Sequence, residues 1–180
     1  MKRFFSGESC HLSCVLLPPN DRPVLIAGSK NVHLCFRTRS DLEMYSDGGS
    51  YSYAKPFCKT ILNTLAQMPD RGQKLINFLA LTRYTAVFEA LSCHHQHVVN
   101  LSYLKETNLQ SELKFLTFAQ MPNDFDAPVT SLCGLAPDWS IEIARALHLS
   151  TTDYDIIKNQ PQSLDDYLTS IKYRPDCEGI

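Results

Sequence analysis

Residues 71–92 read RGQKLINFLALTRYTAVFEALS, the longest stretch of the chain that keeps to a helical apolar spacing. Leu75, Ile76, Phe78, Leu79, Leu81, Tyr84, Val87, Phe88 and Leu91 wrap most of a helical wheel and leave Asn77, Thr82, Thr85, Glu89 and Ser92 as a thin polar seam. A helix that is apolar on nearly every side belongs in the interior, so the spacing predicts one continuous helix over 71–92 at the centre of the core. This expectation concerns cohesion and carries no chemistry.

Immediately upstream, Pro56 is suited to the first residue of a helix that runs through Ile61, Leu62 and Leu65 to Met68, where Pro69 closes it. The short connection 68–72 predicts that this helix and the central one pack as an antiparallel pair. Further toward the N-terminus, residues 10–18, 23–28 and 32–38 are short β-type runs separated by Pro18-Pro19-Asn20-Asp21 and Gly28-Ser29-Lys30-Asn31. They predict an antiparallel meander. In the third run Val32, Leu34 and Phe36 alternate with His33, Cys35 and Arg37, the pattern of a sheet with one covered face and one partly wet one. Residues 39–52, which contain Asp47-Gly48-Gly49-Ser50, have turn chemistry and read as a surface loop.

Beyond Cys93 the period changes again. Val99, Leu101 and Tyr103 alternate with Val98, Asn100 and Ser102, and residues 113–119 alternate beyond the polar segment 105–112, which together predict a β-hairpin; residues 111–120 also score as a helix. The prolines and the Asn123-Asp124-Phe125-Asp126 cluster make 121–137 a long connection. Asp138 is placed to cap a helix through Ile141, Ile143, Ala144 and Leu147, followed by a turn near Leu149-Ser150 and a second helix with Tyr154, Ile156 and Ile157. Ser163 caps a last helix bearing Leu164, Tyr167, Leu168 and Ile171. The reading is an α+β domain over 1–180: an N-terminal antiparallel β-meander, a central antiparallel helix pair, a β-hairpin and a C-terminal helical cap, with 137–173 a candidate helical subdomain.

A chain of 180 residues buries roughly 70% of its unfolded surface and folds without staples. Its hydrophobic share of 44% and charged share of 20% exclude a disordered chain. Lys+Arg 17 against Asp+Glu 19 gives a net charge of −2, which supplies no general attraction to nucleic acid or anionic lipid. Met1-Lys2-Arg3 is followed by no long apolar run, so neither an export signal nor a membrane span is expected. Seven cysteines have no repeated spacing, and most of them sit among apolar neighbours and read as buried thiols of a cytoplasmic, reducing compartment.

The residues best suited to chemistry are Cys58, His97 and one of Asp124 or Asp126. Cys58 falls in the first turn of the helix expected from Pro56, with Lys55 and Lys59 beside it, and helix terminus and ammonium groups both favour thiolate. His97 opens a predicted strand and the aspartates follow the next one, so a base and an orienting carboxylate converge on the thiol. This order of thiol on a helix, His on a strand and Asp beyond is similar to that of papain-like peptidases and deamidases, and the resemblance implies a cysteine hydrolase or deamidase. Residues 50–54 offer hydroxyls but no Gln or Asn to match the family's oxyanion donor.

Cys93-His94-His95-Gln96-His97, and Cys10-His11 with Cys14, are rich in metal-capable groups, but neither has the paired ligand spacing of a structural zinc site. No metal and no cofactor are expected. Residues 140–158 resemble the helix-turn-helix of transcription regulators, with Ala144 at the small inter-helix position and His148 where a turn glycine is usual. The would-be recognition helix carries Thr151, Thr152, Asp153, Asp155 and Lys158, and two carboxylates facing phosphate argue against nucleic acid. The same pattern is also similar to part of a death-fold bundle, an interaction module. Tyr45, Tyr51 and Tyr53 around Gly48-Gly49, and Trp139, Tyr167 and Tyr173 near the C-terminus, have the character of interface anchors. The leading expectation is therefore a non-catalytic subunit whose partner is another protein, as an adaptor, assembly factor or chaperone-like factor; the cysteine hydrolase and the helix-turn-helix regulator are the alternatives.

Overall fold

The computed structural model describes residues 7–92, 111–120 and 135–152, together with Asp165, Asp166, Leu168 and Thr169. The fold is α+β. Strands β1 (Glu8–Leu17), β2 (Arg22–Ser29) and β3 (His33–Phe36) are followed by helices α1 (Arg39–Glu43), α2 (Tyr51–Gln67) and α3 (Pro69–Thr82), strands β4 (Tyr84–Ser92) and β5 (Ser111–Gln120), and helix α4 (Pro137–Ala146). The strands form one antiparallel sheet in the order β3-β2-β1-β4-β5. The N-terminal meander stands as the sequence suggests, and in β3 Leu34 and Phe36 are buried while His33 and Cys35 are exposed.

Residues 71–92 are not one helix. The helical spacing ends at Thr82, Arg83 takes the left-handed conformation with φ 58 and ψ 26, and the chain leaves as β4. The N–H of Arg83 closes the helix on the Leu79 carbonyl, and Tyr84 N–H is accepted by Thr82 Oγ1 at 3.3 Å. What changes is the period: Leu75 and Leu79 are buried at helical spacing, whereas Ala86, Phe88 and Ala90 are buried at spacing two. The interior location holds for β4, which is paired on both sides and buries Ala86, Phe88, Ala90 and Leu91, but not for α3, which buries only Gly72, Leu75 and Leu79 and leaves Leu81 79% exposed.

Register builds the core. Leu12 of β1 lies opposite Ala27 and Ala86, Cys14 opposite Leu25, and Cys10 opposite Phe88. Across β4 and β5, Ala86 faces Phe118, Phe88 faces Phe115 and Ala90 faces Leu113, with a bulge between Val87 and Phe88. Phe115 is the hub: its ring centroid lies 4.6 Å from that of Phe118 and 5.6 Å from that of Phe88, and Phe78 of α3 reaches Phe118 at 5.0 Å. Phe88, Phe115 and Phe118, all buried, contribute about 1.5–3 kcal/mol each by burial alone. Phe57, Cys58 and Ile61 of α2 join the same core, and a single residue, Met68, separates α2 from α3. Gly72 lets the two helices meet, since a Cβ there would stand 3.0 Å from the Leu65 carbonyl oxygen.

Three further expectations are corrected, and one falls on residues that are not described. Helix α2 starts at Tyr51, not at Pro56, because the turn at Gly48-Gly49 already supplies acceptors for Tyr51 and Ser52 N–H; Pro56 lies inside the helix. The segment expected as a loop over 39–52 contains α1, started by a capping box in which Thr38 Oγ1 accepts from Asp41 N–H and Asp41 returns the bond to Thr38 N–H, and held down by fully buried Leu42. Strand β5 pairs with β4 over 84–92, and the other strand of the expected hairpin, residues 98–103, lies outside the described residues. Helix α4 begins with Pro137 behind Ala136, and Asp138 sits in its first turn, accepting from Trp139 N–H at 2.9 Å, so it is not the cap.

Helix α4 ends as a Schellman turn. His148 is left-handed at φ 59, its N–H bonds the Arg145 carbonyl and Leu149 N–H the Ala144 carbonyl. The chain then runs along β5, where Phe115 N–H donates to Ser150 O at 2.7 Å and Thr152 N–H to Phe115 O at 3.3 Å. Residues 150–152 are thus paired with a strand, where the helix-turn-helix reading expects the recognition helix to start; residues 153–164 lie outside the described residues. Of the last expected helix, Asp165, Asp166, Leu168 and Thr169 are helical. Among the described residues no helix is long and apolar enough to cross a membrane.

Candidate functional site

Cys58 occupies the middle of α2, about two turns from its start, beyond the reach of the helix N-terminus, whose field fades within one turn. Its side chain is fully buried and its Sγ donates to the Ala27 carbonyl at 3.2 Å. Burial pushes the thiol up to about 12, and the equally buried Cys10 thiol is raised by the same cause, with Cys58 adding to it. Burial therefore opposes the low-pKa thiolate that the sequence suggests, and the helix start at Tyr51 removes the terminus that would have favoured it. The two lysines meant to favour it point elsewhere. Lys55 Nζ reaches Asp47 at 2.7 Å, Glu43 at 3.3 Å and the Tyr45 carbonyl at 2.7 Å, and Lys59 Nζ reaches Glu43 at 3.0 Å. The Asp47 hydrogen bond raises the Lys55 ammonium, whose side chain is only 3% exposed, and the lysines hold Glu43 and Asp47 below the usual carboxylate range. These four side chains fasten α1 and the loop after it to α2. His97, Asp124 and Asp126 lie outside the described residues, as do Cys93, His94 and His95.

The six aromatic residues expected as interface anchors divide. The Tyr45 hydroxyl accepts from Cys35 N–H at 3.3 Å and donates to Cys35 C=O at 3.0 Å, so it occupies the outer backbone groups of edge strand β3. Its ring meets that of Tyr51 edge-on at 5.5 Å, and both pack against the core. Tyr53 on α2 is 47% exposed and Trp139 on the first turn of α4 is 67% exposed. Tyr167 and Tyr173 lie outside the described residues.

One arrangement was not anticipated. Cys10 and Cys14 share the buried face of β1, as their even spacing requires, which sends His11 to the opposite face. There the register aligns His11, Gly28 and His33 across β1, β2 and β3. Gly28 contributes no side chain to the row, and a Cβ at that position would stand 2.0 Å from the Val32 carbonyl oxygen. The imidazoles of His11 and His33 meet over it, with centroids 5.4 Å apart, planes 14° apart and His11 Nδ1 3.2 Å from His33 Nε2. Burial, and secondly the neighbouring imidazole, lower the pKa of His11. Only the strand register could have revealed this pair, since 22 residues separate its members. Among the described residues no group of three or more His, Cys, Asp or Glu is gathered for a metal ion, and Cys10, Cys14, Cys35 and Cys58 are free thiols. The chain matches no family model, no curated protein and no solved structure in these three comparisons.

Proposed function

We propose that the chain is a protein-binding subunit that engages its partner through exposed aromatic side chains, with Trp139 as the principal anchor. The observation that carries the reading is the presentation of Trp139. The indole is two-thirds exposed, yet the helix beneath it is tied down by Ile141, Ala144 and Leu149 in the core and by the pairing of residues 150–152 with β5. A large amphipathic ring held on a rigid element loses little entropy on contact, which is why tryptophan is enriched among residues that dominate interface energy. Tyr53 gives a second exposed ring. The protonated, buried Cys58 thiol supports this reading over the cysteine hydrolase, and the strand pairing of residues 150–152 supports it over the helix-turn-helix regulator. Adaptor, assembly factor and chaperone-like factor are the forms such a subunit takes.

The test compares wild type with Trp139→Ala, both verified as folded by circular dichroism, as immobilised bait in extract of the native source. A protein retained by wild type and held about 30-fold more weakly by the variant, the effect of losing an anchor worth about 2 kcal/mol, is the expected result. Equal retention by the two baits overturns the assignment of the anchor. Trp139 is the chain's one tryptophan, so a blue shift of its emission on adding the purified partner reports the contact directly.

A further inference from the structure

We propose that His11 and His33 form a two-imidazole seat for a divalent transition metal of the Zn2+ class, on the sheet face opposite the α2 side of the core. Each ring is fixed by a strand, and β2 holds those strands in register with Gly28 between the two histidines. The spacing fits the chemistry. Two nitrogens bound tetrahedrally to Zn2+ at about 2.0–2.1 Å stand about 3.3–3.4 Å apart, and these stand 3.2 Å apart before any ion is bound. Metal ligation needs neutral imidazoles, each binding through the nitrogen that faces the other ring. In the metal-free chain the same contact is an N–H···N hydrogen bond whose direction depends on the tautomer. For both neutral rings to ligate, the ring that donates in that contact shifts its proton, by exchange with water, to its other nitrogen, so one N–H bond is broken, one is formed and no net proton is released.

The donor set also sets the kind of site. A structural zinc site closes four positions with protein ligands, whereas two imidazoles leave positions for water. The site is therefore exchangeable, and nitrogen donors suit Zn2+, Ni2+ and Cu2+ while giving Mg2+ and Ca2+ nothing to prefer. Its structural consequence is a clamp from β1 across β2 to the edge strand β3.

The test is Zn2+ titration against a chromophoric chelator under reducing conditions near neutral pH, using the full chain, His11→Asn, His33→Asn, and a variant with His94, His95 and His97 all changed to Asn. Wild type and the triple variant are expected to bind one Zn2+ at this site, with the affinity falling about 100-fold in each of His11→Asn and His33→Asn, the advantage a second linked donor confers. Mg2+ should not compete. Loss confined to the triple variant, or wild-type affinity in His11→Asn and His33→Asn, overturns the proposal. An independent readout needs no substitution: Zn2+ should slow amide exchange at Leu34 in wild type, and unchanged exchange at saturating Zn2+ overturns the clamp.

Discussion

At the scale of single residues, Tyr45 shows how a side chain can substitute for a missing strand. An edge strand presents unpaired N–H and C=O groups that invite pairing with another chain, and natural sheets cover or interrupt such edges. Here one phenol takes both roles at Cys35, accepting from its N–H and donating to its carbonyl. The sequence places Tyr45 beside a glycine-rich turn, where an exposed anchor is the natural reading; its inward direction depends on α1 folding back over β3, which no local pattern announces. Tyr45→Phe keeps the ring and removes the cap. Because water can reach the freed groups, the expected loss of stability is modest, about 1 kcal/mol in urea unfolding. The larger consequence should be association: light scattering is expected to rise with concentration for the variant and stay flat for wild type. A variant as monodisperse as wild type would show that the edge is guarded by something other than the hydroxyl.

Among elements, the junction at Arg83 explains both what the pattern of 71–92 revealed and what it concealed. Tyr84, Val87, Phe88 and Leu91 lie at intervals of three and four that a helix would also produce, so the apolar spacing alone does not distinguish the two periods. The residues that decide it are the β-branched Thr85 and Val87 and the small Ala86 and Ala90 facing Phe118 and Leu113, and their role depends on β5, a strand distant in sequence. The usual punctuation is also missing, since the left-handed residue after the helix is an arginine where glycine is common. The same holds at His148 after α4. By contrast the three N-terminal strands were legible, because proline and glycine-rich turns separate them and β3 alternates cleanly. An L-residue in the left-handed region costs about 1–2 kcal/mol, part of which glycine returns through the flexibility of its unfolded chain. Arg83→Gly should therefore be neutral to stabilising by up to about 1 kcal/mol, whereas Arg83→Val, branched at Cβ, should destabilise by more than about 1 kcal/mol. Denaturant midpoints in the order Gly, Arg, Val support the left-handed turn as the break, and a valine variant as stable as wild type contradicts it.

The whole molecule couples its ionisable groups to folding on two sides of neutrality. On the acid side Asp41, held low first by the Arg37 N–H and then by Thr38, and Glu43 and Asp47, held low by Lys59 and Lys55, lend stability that is present above the usual carboxylate range and lost as pH falls through their depressed values. On the alkaline side the burial of Cys10, Cys14 and Cys58 raises their thiols, and Lys55 is raised by Asp47. The sign for the thiols follows from which state binds the proton more firmly. Above pH 9, the ordinary value for these thiols, the unfolded chain begins to release the Cys58 proton while the folded chain keeps it to about 12. The unfolded state then holds fewer protons, and stability falls with pH by about 1.4 kcal/mol per unit for this group across that window. Cys58→Ala should lower stability at neutral pH, because it leaves a cavity under α2, yet flatten the descent above pH 9, so that the two curves converge as pH rises. The other thiols and Lys55 are common to both proteins, and of these Cys10 changes only by losing the smaller contribution that Cys58 makes to its raised value. Urea midpoints measured in reductant from neutral to strongly alkaline pH provide the check. Curves that stay parallel throughout would mean that the thiol ionises as easily in the folded chain as in the unfolded one, and the sealed, protonated Cys58 described above would have to be abandoned.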